Sequence, residues 1–180
     1  MKAKIVLFCT IFFAMLSCQK EESAEMKMTV KEKRSLDWHS LSQSQKDDEI
    51  MNTAFADYGL YVGIQCKPWV QRVVNTATSG HVTVPLTQSN QYQWYDDQSG
   101  HIVGRSTLIE NVQRADIIQM YLYINGGWTP HTAIVVYKDS SGMMWIDSNW
   151  VATNTVGTHY VTYSQFYSWA SNRYTVYHVQ

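Results

Sequence analysis

Cys66, His131 and the pair Asp147/Asn149 are the residues equipped for covalent chemistry. A cysteine nucleophile needs a thiolate, a base to hold its proton and a polar group to orient that base. Cys66 stands where a helical repeat begins. Unpaired N–H groups and the dipole at a helix start favour a negative sulfur. His131 opens an alternating stretch directly after Trp128-Thr129-Pro130, on the same side as Ala133 and Val135. A strand there would hold the imidazole rigidly. Trp145, Asp147 and Asn149 share a face of the next strand by the same alternation, so either Asp147 or Asn149 can hold the far ring nitrogen. Each residue alone has an ordinary structural role: a small core cysteine, a satisfied strand histidine, turn formers at a strand end. Only their joint order points to catalysis.

The elements that must position them read as helices followed by a meander of strands. Asp47-Asp48-Glu49 suit a helix start, Ile50, Ala54, Phe55 and Tyr58 recur at helical spacing, and Gly59 ends the run. The spacing predicts a second helix from about Cys66 to Ala77. Pro68 fits its first turn, and Trp69, Val70, Val73, Val74 and Ala77 form its apolar stripe. Residues 86–101 are polar and aromatic and read as a long loop. From Asp116 the period changes to two. Strands are expected with Ile118, Met120, Leu122 and Ile124 on one face, then over 131–137, 143–149 and 158–162. A helix over 164–170 and a last strand over 173–179 follow. Helices before an antiparallel sheet make an α+β domain.

The 180 residues are 45% hydrophobic and 16% charged, enough for one cored domain and incompatible with disorder throughout. The net charge of −1 argues against a nucleic-acid binder working by phosphate neutralisation. Residues 1–17 read as a signal peptide: Lys2 and Lys4, then an apolar run too short to span a bilayer. Met15-Leu16-Ser17-Cys18 resembles a bacterial lipobox, which implies cleavage before Cys18 and lipid on its sulfur. Gln19-Lys20-Glu21-Glu22 resembles the surface-export signal of Bacteroidetes lipoproteins. The expected location is therefore the cell envelope, as an outer-membrane lipoprotein facing the periplasm or the surface. Loss of the leader takes Lys2 and Lys4 from the 14 basic residues, leaving 12 against 15 acidic, or −3. Residues 18–47 read as a flexible tether and 48–180 as the domain. With Cys9 in the leader and Cys18 capped, Cys66 is the one thiol of the domain, so neither a disulfide framework nor a paired zinc–cysteine site is open to it.

At four places the chain resembles the papain-like peptidoglycan hydrolases of the CHAP type, with NlpC/P60 as the near relative. Gly63-Ile64-Gln65-Cys66 before Trp69-Val70 looks like the nucleophile segment. Arg114-Ala115-Asp116-Ile117-Ile118 is similar to a Gly-Asp strand entry, with Ala115 in place of the usual Gly. Pro130-His131-Thr132-Ala133-Ile134-Val135 resembles the His strand, and Trp145-Ile146-Asp147-Ser148-Asn149-Trp150 resembles Glu-x-Asn with Asp147 for Glu. The resemblance covers about residues 48–180, with 65 residues from Cys66 to His131 and 16 more to Asp147. It implies a papain-like fold, nucleophile Cys66, base His131 and orienter Asp147 with Asn149 in support. Gln65 is the candidate for oxyanion support. The implied reaction is amide hydrolysis in peptidoglycan, within the stem peptide or between glycan and peptide, by a monomer. Such a triad needs no metal or other cofactor, and the six histidines form no HExxH-like pair. Trp94, Tyr95 and Trp128, with Tyr92, can stack on sugar rings or cover peptide; packing under a loop is the equal alternative. Two other readings stay open: an inactive papain-like module that binds wall peptides or a partner protein, and a cysteine acyltransferase or peptidase acting on proteins.

Overall fold

The computed structural model describes residues 37–82, the backbone of 102–104, and 108–180. The signal peptide, Cys18, the tether up to residue 36 and the loop residues Tyr92, Trp94 and Tyr95 lie outside the described residues.

The first helix, α1 (Gln43–Phe55), starts earlier than the acidic run suggested. A capping box sets the start: Ser42 N–H donates to Gln45 Oε1 at 2.9 Å, and Ser42 Oγ accepts from Gln45 N–H at 3.4 Å. Residues 37–47, expected to end the tether, are thus folded. Trp38, in a 3-10 turn, is fully buried, and its Nε1–H donates to the Gln180 carbonyl at 3.1 Å. The second helix, α2 (Cys66–Ala77), has the boundaries its spacing predicts. The third, α3 (Tyr163–Ala170), begins with a second capping box, Thr162 with Gln165.

Among the described residues six strands form one antiparallel sheet: β1 (Ile102–Gly104), β2 (Ile117–Ile124), β3 (Gly127–Lys138), β4 (Gly142–Ala152), β5 (Thr155–Thr162) and β6 (Tyr174–Val179). Their spatial order is β1-β6-β2-β3-β4-β5. The β2–β3 hairpin closes on Asn125 (φ 51°) and Gly126 (φ 79°), the two left-handed residues of a type I′ turn. Strands β3 and β4 extend well beyond their apolar alternation, β3 back to the β2–β3 hairpin and β4 on to the β4–β5 turn, with register shifts between Val135 and Tyr137 and between Ser148 and Ala152.

Both faces of the sheet are covered. On one, Trp69, Val70, Val73 and Val74 of α2 pack in a core with Ile117, Ile134 and Ile146. On the other, Phe166 and Ala170 of α3 pack with Met120, Leu122, Ala133, Val135 and Trp145. Two covered faces explain why consecutive residues such as Ile117 and Ile118 are both fully buried.

The entry to β2 is locked separately from the candidate triad. Ala115, where the resembled family carries Gly, has φ 66°, the left-handed region where a Cβ is costly. Next to it, buried Asp116 accepts from Gln113 N–H at 2.7 Å and meets His178 Nδ1 at 2.6 Å. This pair ties β6 to the β2 entry. Among the described residues no helix is long and apolar enough to cross a membrane.

Candidate active site

Cys66 is the first residue of α2, with extended Gln65 as its N-cap. Its sulfur is reached through a parting of the sheet. Pairing of β3 with β4 runs only as far as Ile134 opposite Ile146. Val135 N–H and C=O both bond toward the β2 side, to Asp116 and Ala115. By alternation Thr132 N–H points toward β4, where no strand partner meets it. That N–H donates to the Cys66 sulfur instead. The opening lets α2, on one face, meet His131, which alternates with Ala133 and Val135 of the other face.

Ser148 fixes the approach of the nucleophile segment. Its Oγ–H donates to the Ile64 carbonyl at 2.6 Å, joining β4 to the turn two residues before Cys66. Ser148→Ala leaves that carbonyl without its partner, so a loss of about 1–3 kcal/mol is expected. Thermal melting gives the stability change. Alkylation of Cys66 should slow in the same variant, and an unchanged rate would show that the tie does not position the sulfur.

His131 is 4% exposed and bonded to Cys66 on one side. Its Nε2 stands 3.3 Å from Asp147 Oδ2, which leaves Nδ1 for the sulfur. The Nε2–Oδ2 contact is a close ion pair whose direction is off the line of a hydrogen bond. Contacts of this kind in unliganded sites often tighten only when substrate binds. Asp147 is itself held, its Oδ1 accepting from Trp150 N–H at 3.0 Å.

The electrostatics favour an ion pair. Burial pulls the His131 pKa down, but the charge and contact of Asp147, with smaller contributions from Cys66, outweigh it and push the value up to about 10. Burial pushes the Cys66 thiol up. The hydrogen bond and charge of His131 and the Thr132 N–H outweigh both that and the repulsion from Asp147, so the thiol lies below its ordinary value. Lys67, also buried, adds a nearby charge: burial lowers its pKa and the Cys66 sulfur raises it. The arrangement can supply a thiolate, a proton donor for a leaving group and a carboxylate that keeps the ring charged.

Of the other sequence candidates, Asn149 stays beside the ring without bonding to it, and Gln65 and Trp128 are not in the cleft lining. Asn149 leaves the Asp147 face because its φ is 86° and the β4–β5 register shifts between Ser148 and Ala152. Its Oδ1 accepts from Asn154 N–H at 3.0 Å, so Asp147, not Asn149, meets the imidazole. Gln65 is exposed and makes no side-chain cap, although it adjoins the sulfur in sequence. Trp128 is 38% exposed, stacks on Tyr121 at 5.5 Å and carries the Arg173 guanidinium at 4.1 Å. It is not among the residues lining the cleft.

That cleft, about 590 Å³, is lined by His131, Tyr123, Thr129, Asn149, Trp150 and Trp169, among others. Sequence reading missed Trp150 and Trp169. Trp150 lies with its ring 5.1 Å from that of His131, and Trp169 is 5.7 Å from Trp150. His159, on β5, backs both indoles at 5.1 and 6.2 Å. The signal available was the aromatic density of Trp145, Trp150 and Trp169 around a histidine strand, which alternation alone assigns to core.

No family model matches the chain, and no curated protein matches it. Solved structures do. A crystal structure of Ly7917 superposes with a TM-score of 0.57 at 14% identity, covering 74% of this chain and 62% of that one. The crystal structure of Ly7917 with the hydrolyzing product of MDP gives 0.56 at 14% identity, over 74% and 63%. The chain thus spans under two thirds of Ly7917, and the likeness is one of fold.

Proposed function

We propose that this protein is a papain-like cysteine amide hydrolase of the cell envelope, acting on peptidoglycan through Cys66, His131 and Asp147. The observation that carries the reading is the contiguous sulfur–imidazole–carboxylate chain at the start of α2, with a Thr132 N–H on the sulfur. The fold likeness to Ly7917, a protein solved with a hydrolysis product, supports it. The four matching motifs carry the substrate class, and the lipobox-like segment ending at Cys18 carries the anchor.

The resting pair is thiolate and imidazolium. The sulfur attacks the substrate carbonyl, and backbone N–H groups at the α2 start hold the developing oxyanion. Such a donor contributes about 3 kcal/mol in comparable sites. His131 gives its proton to the leaving amine. The neutral ring then takes a proton from water as the water attacks the thioester, releasing the acyl group and restoring the pair. Asp147 holds the ring and stabilises its charged form throughout.

Digestion of purified peptidoglycan tests the reading. Soluble fragments should appear with the intact protein and not with Cys66→Ala, and their masses should name the amide cut. Rapid alkylation of Cys66 without any wall fragment would move the substrate to another amide. Absence of both would favour a binding module.

A further inference from the structure

The cleft is not symmetric about the triad. His131 is part of its lining, whereas Cys66 is not. When a thiol cleaves an amide, the substrate's two halves part company at this point. The carbonyl half becomes bonded to sulfur, and the amine half takes a proton from the imidazole and leaves. A cavity that opens on the ring but not on the sulfur therefore faces the amine half.

The chemistry of its walls narrows what that half can be. Trp150 and Trp169 present ring faces inclined at 41°, and Tyr123 adds a third aromatic from the β2–β3 hairpin. Asn149 and Thr129 supply an amide and a hydroxyl. Among the described residues that line the cleft none is Lys, Arg, Asp or Glu. Aromatic walls with a few neutral polar groups take apolar or ring-bearing groups by contact. The one cation on these walls, the His131 imidazolium, is already matched by Asp147 and the Cys66 thiolate, so an entering carboxylate would lose its water with no unmatched charge to meet.

We infer that this cleft is the amine-side subsite, selecting an uncharged amine component with an apolar or ring-bearing side chain, and that an amine bound there can also accept the acyl group from Cys66. The inference rests on the cysteine acyl-transfer reading above. In the transfer step the amine nitrogen attacks the thioester carbonyl. A C–N bond forms as the C–S bond breaks. The sulfur departs as thiolate, and the amine proton passes to His131. This is acylation run backwards, so it uses the same subsite.

The test loads the full-length protein with 4-nitrophenyl acetate and offers the acetyl-enzyme either of two acceptors at equal concentration of unprotonated amine. One is phenylalanine amide; the other is glutamic acid α-amide, which keeps its side-chain carboxylate. The N-acetylated products are counted by mass spectrometry. Phenylalanine amide should capture at least tenfold more acetyl than the acidic acceptor. Trp169→Leu and Tyr123→Leu, on separate elements, should each bring that ratio toward one. Equal capture by the unaltered protein, or a preference that both variants keep, would overturn the assignment. If the preference is present but peptidoglycan is not cut, the cleft's role stands and the wall substrate falls. If no acetyl-enzyme forms, both fall.

Discussion

Cys66→Ala should lower the rate of amide cleavage by at least about 10⁴-fold, the scale on which removing a nucleophile acts when the group is part of the chemistry. The fold should survive. Cys66 contributes little volume, and α2 is anchored by Trp69, Val70, Val73 and Val74, each at most 1% exposed. A shift in melting temperature of about 2–4 °C per kcal/mol lost is the expected scale for a domain of this size. A protein that kept a tenth of its activity without the thiol would be using some other group. Cys66→Ser is the stricter control. A hydroxyl occupies nearly the same space, yet its much higher pKa denies it the charge that His131 and the Thr132 N–H are placed to stabilise.

The second large effect is expected at Asp147. Asp147→Asn should reduce kcat/KM by about 10²–10⁴-fold, because an amide N–H turned toward Nε2 meets a donor and forces the wrong tautomer. The Trp150 N–H can still be accepted by the remaining amide oxygen, so the local backbone should hold. The pH profile separates this role from a structural one. His131 must carry a proton to release the amine, and that proton is retained until the pH rises through about 10. The intact protein should therefore lose activity on an alkaline limb near that value. Without the Asp147 charge the limb should move down toward the ordinary histidine range. The same linkage acts on stability. A pKa raised in the folded state stabilises fully below the unfolded value, about 6.5, and that gain is lost as pH rises from there to about 10. An Asn variant that melts lower but keeps its alkaline limb would make Asp147 a structural residue.

How far these sites were legible in the sequence depends on what sets each one. The apolar stripe of α2 and the alternation of β2 come from burial, which leaves a periodic trace, and both elements stand where their spacing puts them. The Cys66–His131–Asp147 order was legible because Cys66 begins α2 while His131 and Asp147 lie within the neighbouring strands β3 and β4, both of which show alternation. Asn149 was not, since a left-handed φ of 86° turns it off the face that alternation assigned. The start of α1 was also hidden. The capping box of Ser42 and Gln45 lies in a polar stretch with no hydrophobic period, where a tether and a helix entry look alike. The gap between β3 and β4, through which the sulfur meets Thr132 N–H, is a property of pairing and has no signature in residue type. The aromatic cleft was invisible for a related reason: Trp150 and Trp169 come from β4 and α3, and only the tertiary fold brings them beside His131.

The most direct measurement is the rate of iodoacetamide alkylation at Cys66 against pH, followed by mass spectrometry of the peptide that contains it, in the intact protein and in His131→Ala. Labelling should be fast at neutral pH with an inflection below the ordinary thiol value of 9.0, and the inflection should lie above that value once the imidazole is gone. An intact protein whose Cys66 labels no faster than free cysteine, with the same inflection in both forms, would contradict the thiolate–imidazolium pair.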